Sequence, residues 1–225
     1  AHSQMKSVTA LKKNALESYL RETEVIAELL AESLDAIHAI ENFMQYHNEM
    51  GIKETEAFDI TGDDESLTFT YEELWAETNN YFENYIDVAG FYDVLIICQD
   101  HGHVMFTVSR ESDLGENLST GSLRTSSLAE VWRAARVSDS TVFVDTALYA
   151  PSNDTPATFS GIPVVGQNGE RLGVVVLQLN TELINGILQV RAGLGETAES
   201  YAVGEDYLMR SDSLLDVVGH SVQAS

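Results

Sequence analysis

Asp145 and Tyr149 lie in Phe143-Val-Asp-Thr-Ala-Leu-Tyr149, a run whose β-branched and aromatic content reads as a strand. Side chains alternate along a strand, so this spacing predicts that the two share a face. Tyr149 leads into Pro151-Ser152-Asn153-Asp154, which offers hydroxyl, amide and carboxylate groups, and Phe159 beyond it can supply an aromatic wall. Upstream, Arg133 and Arg136 fall within a helical stretch and could meet a ligand carboxylate. Such a set suits recognition of a small polar ligand: a mostly apolar pocket with a few fixed polar contacts. The structural alternative is that Asp145 and Tyr149 brace the loop while both arginines make surface pairs.

Other reactive side chains make weaker constellations. His101 and His103 flank Gly102, but zinc needs further nearby ligands and Asp100 is the local candidate, so an exposed hairpin turn is expected. His38 and His47 project to different sides of one helix and read as surface or packing residues, and His220 lies near the end of the sequence. Cys98 is the single cysteine, set in an apolar strand, which excludes an intrachain disulfide and favours a core position. No Gly-x-Ser-x-Gly elbow accompanies the serines. Asp63, Asp64 and Glu65 lack the alternating oxygen ligands of a calcium loop. Gly193 to Ser213 is glycine-rich, but lacks the strand before it and the Lys-Ser/Thr pair that a phosphate loop requires. No catalytic residue, cofactor or metal is expected, and the chain does not read as an enzyme.

The elements that position these groups follow from periodicity. From Met5 to about Glu49 neither Gly nor Pro occurs and apolar residues recur at helical spacing, which predicts one helix of about 65 Å. A second helix is expected from about Thr70 to Val88, closed by Gly90. The period then changes. Val94–Cys98 and Val104–Val108 form a hairpin, Ser126–Arg136 a helix, and Thr141–Tyr149, Ala157–Val165 and Arg171–Leu179 three further strands, with Thr181 capping a helix to about Arg191. Two strands, a helix and three strands make an α+β fold: an antiparallel five-stranded, PAS-like sheet flanked by helices.

Charge narrows the role. Twelve Lys and Arg against 36 Asp and Glu give a net charge of −24, which excludes general nucleic-acid binding and disfavours anionic membrane surfaces. No apolar run approaches the roughly 20 residues that span a bilayer.

Tyr92 to Asn180 resembles the Cache domains of bacterial transmembrane receptors. The resemblance rests on Phe143-Val-Asp145 through Tyr149-Ala-Pro151-Ser-Asn153, on Pro156-Ala-Thr-Phe159 and on Gly173-Val-Val-Val-Leu-Gln-Leu-Asn180. It implies residues 1–90 as helices packed on the sensor, 91–191 as a Cache module, and 192–225 as a linker and first hairpin of a second module, truncated or reduced. Ser200 to Asp212 faintly repeats the pattern of Leu95 to Thr107, in keeping with that hairpin. The resemblance also implies a periplasmic region of a membrane-anchored chemoreceptor or histidine kinase. Its ligand would be relayed through the long helix, which could pair with that of a second copy. Amino-acid-binding members show a Tyr, an Arg and an adjacent Trp-Tyr pair; here Trp132 precedes Arg133, so an organic acid or other small metabolite is the expected ligand. The alternative function is a spacer or docking module for a periplasmic partner protein.

Overall fold

The computed structural model describes residues 2–191, 198–216 and 218–224. Gly193 and Gly195, part of the linker expected from residue 192, lie outside them. The order is α1 (His2–Ala31), α2 (Leu34–Met50), α3 (Tyr71–Ala89), β1 (Asp93–Cys98), β2 (Val104–Thr107), α4 (Ser127–Ala135), β3 (Val142–Tyr149), a 3-10 turn (Ala150–Ser152), β4 (Thr155–Val165), β5 (Arg171–Leu179) and α5 (Thr181–Gln189). The strands form one antiparallel sheet ordered β2-β1-β5-β4-β3.

The sheet is covered on both faces, as alternation along its central strands requires. Val94, Ile96, Val175 and Leu177 face a core with Ala27 and Leu30 of α1, Ile40 and Phe43 of α2, and Leu74 and Phe82 of α3. Leu95, Ile97, Val174 and Val176 face the other way, onto Leu128, Val131 and Trp132 of α4. Burying an apolar side chain of this size stabilises the fold by about 1.5–3 kcal/mol.

The helical N-terminal stretch is not continuous. α1 spans 30 residues, about 45 Å, and the chain breaks at Glu32–Ser33 before α2 begins. Ser33 causes the break: it adopts extended backbone angles, its Oγ accepts from the Ala36 N–H at 3.1 Å and donates to the Leu30 carbonyl at 2.7 Å. That local competition for backbone groups needs no glycine or proline. α3 starts as the sequence implies, with a reciprocal capping box between Thr70 and Glu73. α5 is capped by Asn180, whose side chain accepts from Glu182 N–H, and not by Thr181, whose hydroxyl donates to the Pro156 carbonyl at 2.9 Å.

Between residues 198 and 216, Val203 and Met209 form an antiparallel bridge, closed by hydrogen bonds between Gly204 and Leu208 and between Arg210 and Ala202. α1 is tied to this end of the molecule through Lys12. Its ammonium, buried against α5, donates to the Leu188 carbonyl and, at 2.6 Å, to Ser200 Oγ.

Candidate ligand cleft

Asp93 opens β1 and shares the α4-facing side of the sheet with Leu95 and Ile97. Its register partner on β5 is Gln178, two residues beyond Val176 on the same face. β3 and β4 add Tyr149 and Phe159, whose rings meet edge to face at 5.0 Å. The segment after β2 adds Glu111 and Asp113.

These groups bond to one another. The Tyr149 hydroxyl donates to Asp113 Oδ2 at 2.7 Å. Tyr92 donates to Glu111 Oε1 at 2.7 Å, Ser152 to Glu111 Oε2 at 2.6 Å, and Gln178 Nε2 to Ser152 Oγ at 3.3 Å. Asp93 accepts from the backbone N–H groups of Val94, Val108 and Ser109 and from the Ser109 hydroxyl. Asp93, Asp113, Tyr149, Ser152 and Gln178 are all buried. Burial pushes the Asp93 carboxyl up to about 7 and Asp113 up to about 6, the latter against the lowering effect of the Tyr149 bond. Burial and the neighbouring Asp113 raise the Tyr149 phenol, so it stays a proton donor.

Two acceptors are left over: Asp113 Oδ1 and Gln178 Oε1 are buried with no hydrogen-bond partner. Unpaired buried acceptors of this kind are costly, by about 1–3 kcal/mol each. Among the described residues no Lys or Arg donates into the cluster. Gln178 and Tyr92 also line a cleft of about 510 Å³, together with Thr155, Pro156, Asn180, Thr181, Glu182, Asn185 and Asp212. The cleft therefore borders the acidic cluster through Tyr92 and Gln178, carries two carboxylates of its own and, among the described residues, no basic side chain.

The structure divides the site residues read from sequence. Tyr149, Ser152 and Phe159 come together in the buried cluster. Asp145 does not join them. A β-bulge between Val144 and Ala147 sets two residues of β3 against one of β4 and breaks the alternation. Asp145 is exposed and takes Arg210 in a two-pronged pair, with both nitrogen–oxygen distances 2.7 Å. Asn153 is an exposed left-handed residue ending the 3-10 turn. Arg133 donates to the carbonyls of Leu118 and Arg124, at 2.9 and 2.6 Å. Arg136 donates to the Asp100 carbonyl at 3.3 Å and lies over the Trp132 ring at 4.9 Å. Both arginines brace loops around α4 and neither faces the cleft, so the carboxylate-binding role expected of them is not met. The sequence reading missed Tyr92, Asp93, Glu111, Asp113 and Gln178. The available signal was Asp93 itself, an acid in phase with Leu95 and Ile97 on a strand otherwise wholly apolar.

No family model matches the sequence, and no curated protein matches it significantly. Solved structures do. The sensor domain of the V. cholerae histidine kinase DctB superposes with a TM-score of 0.54 at 16% identity, over 84% of this chain. The chain spans 58% of that domain's length. The ligand-binding domain of the Pseudomonas aeruginosa PAO1 amino acid chemoreceptor PctC, in complex with GABA, gives a TM-score of 0.58 at 14% identity, over 96% of this chain and 77% of that one. The fold is thus shared with these bacterial sensor and ligand-binding domains. No helix among the described residues is long and apolar enough to cross a membrane.

Proposed function

We propose that the chain is the extracytoplasmic, small-molecule-sensing region of a bacterial transmembrane receptor, and that its ligand carries an ammonium or comparable N–H donor group. The observation that carries the ligand class is the pair of unpaired acceptors, Asp113 Oδ1 and Gln178 Oε1, in an acidic cluster with no basic side chain donating into it. A donor entering past Tyr92 and Gln178 would satisfy them, whereas a dicarboxylate would meet Glu182 and Asp212 at the mouth. The fold supports the sensing role, and GABA, bound by PctC, has both an ammonium and a carboxylate. The organic-acid expectation is set aside because Arg133 and Arg136 are engaged elsewhere.

Signalling would follow from a ligand preferring one packing of the sheet against α1 over another, since only differential affinity shifts a two-state equilibrium. A membrane anchor, a cytoplasmic output domain and a second module begun by residues 198–216 belong to the same reading. Leu11, Val25 and Leu29 are exposed on α1, with Leu11 and Val25 two heptads apart, which suits pairing with α1 of a second copy.

The test is a thermal-shift and calorimetric panel of amines, amino acids and dicarboxylates on the wild type and Gln178→Leu. The expected result is a saturable rise in melting temperature with an amine or amino acid that the variant loses while keeping its own fold. A response to dicarboxylates alone overturns the ligand class. Silence across the panel overturns the sensing reading in favour of the docking module.

A further inference from the structure

At the opposite end of β1 from Asp93, three histidines come together. His47 lies in the last turn of α2, and His101 and His103 flank Gly102 in the β1–β2 turn. The turn is not the exposed hairpin tip expected from sequence: His103 is fully buried, His47 is 6% exposed and His101 half-buried. The ring centroids are 5.1 Å apart for His47 and His103, 5.5 Å for His101 and His103, and 5.9 Å for His47 and His101. One ring nitrogen from each lies within 4.8 Å of the other two.

Hydrogen bonding identifies the protonated nitrogen of His103. His103 Nε2 sits 3.0 Å from the Glu56 carbonyl, an acceptor only, so that nitrogen carries the proton. His47 Nδ1 is 3.4 Å from Asn48 Oδ1, and His101 Nε2 is 3.7 Å from the Glu54 carboxylate. Each ring thus turns one nitrogen to an oxygen. The three that remain, His47 Nε2, His101 Nδ1 and His103 Nδ1, are buried without any hydrogen-bond partner. Buried polar nitrogens left without a partner are costly, and packing alone supplies no compensation.

We propose that His47, His101 and His103 are the protein ligands of a divalent transition-metal site of the zinc class. Neutral imidazoles whose second nitrogen is held by an oxygen are the usual zinc donors, and three of them leave a fourth position for water. Bonds of about 2.0–2.1 Å at tetrahedral angles place such nitrogens about 3.4 Å apart, so each ring needs to move inward by less than about 1 Å. The surroundings fix the outer shell: Asn117 Nδ2 donates to the carbonyls of Glu54 and Glu56, at 2.9 and 3.0 Å, holding the segment that receives the His103 N–H. The bound ion clamps α2 to the β1–β2 turn. It lies a strand's length from the candidate cleft, so this inference does not rest on the proposed function.

The test starts from chelator-treated protein titrated with Zn2+ by calorimetry, and with Co2+ followed by its visible absorption. The expected results are one ion per chain, a rise in melting temperature, and the intense visible bands of four-coordinate Co2+. His101→Ala, at the least buried ligand, and His47→Gln should each lower affinity by no less than the roughly 10–100-fold that loss of an outer partner costs. Circular dichroism keeps those losses separate from unfolding. Absence of saturable binding in the wild type overturns the proposal. So does binding undiminished in both folded variants, because it would place the ion on the acidic surface.

Discussion

Tyr149 donates its phenolic proton to Asp113 at 2.7 Å, joining residues 36 positions apart inside a site where the other oxygen of Asp113 has no partner. The bond joins an edge strand of the sheet to the segment that follows β2. Tyr149→Phe keeps the ring against Phe159 and removes only the donor, leaving a second buried acceptor unpaired. The expected loss is about 1–3 kcal/mol. In a double-mutant cycle with Asp113→Ala, measured by urea unfolding, the two losses should be less than additive. Simple additivity would show that the bond contributes nothing to stability.

The two buried carboxyls should make stability fall as pH rises from about 4 to about 7, opposed over the same range by His103, which burial lowers to about 4. Burial holds Asp113 near 6 and Asp93 near 7, above their ordinary values, so between those limits the folded state binds protons that the unfolded state has released. The sign follows directly: a raised carboxyl contributes fully below its unfolded value, and that contribution is lost through the folded one. Asp113 alone accounts for roughly 2–3 kcal/mol over this window. Arg210 depresses Asp145 and Asp206 by hydrogen bonding, so their contribution disappears only on further acidification. The share of Asp113 is read from denaturation of the wild type and Asp113→Asn at a series of pH values. Asp113→Asn should flatten the slope between about 4 and 6, and an unchanged slope would assign it to the acidic surface as a whole.

Ser33→Ala should cost about 1 kcal/mol, the usual value of an N-cap, and lower the melting temperature by roughly 2–4 °C for a chain of this size. The loss would appear as faster amide exchange in the first turn of α2, at Ala36 and Ile37, with α1 unaffected. An equal increase throughout both helices would mean that they unfold as one element and that Ser33 does not divide them.

What could be read from sequence was whatever a period reveals. The apolar runs at Val94–Cys98 and Val174–Leu179, and the start of α3 near Thr70, announced themselves because each is local. The break at Ser33 was hidden, since the helical apolar pattern resumes at Ile37 and Ile40 in a usable phase. The bulge at Asp145 was hidden for a similar reason: nothing in Val-Asp-Thr-Ala distinguishes an alternating strand from one with an extra residue. The acidic cluster draws on the entry to β1, the segment after β2, the end of β3 and β5. The histidine cluster needs α2 beside a turn more than 50 positions later. Both depend on which distant segments meet, and neither spacing nor composition records that.

Gly102 lets the last prediction separate two costs that usually come together. Its φ of +76° lies in the left-handed region, and a Cβ there would stand 2.9 Å from the Trp132 ring. That ring cannot easily retreat, because its indole N–H donates to the Cys98 carbonyl at 3.0 Å and Arg136 covers its face. Gly169 offers the control, with a φ of +85° and nothing within 4 Å of an added Cβ. Gly169→Ala should therefore lose only the backbone term, about 1–2 kcal/mol. Gly102→Ala should lose clearly more and should shift the Trp132 fluorescence, read in a Trp75→Phe background. It should also weaken Zn2+ binding if the turn positions His101 and His103 as proposed. Equal losses for the two glycines would show that Trp132 yields freely, and that the turn is held by its backbone alone.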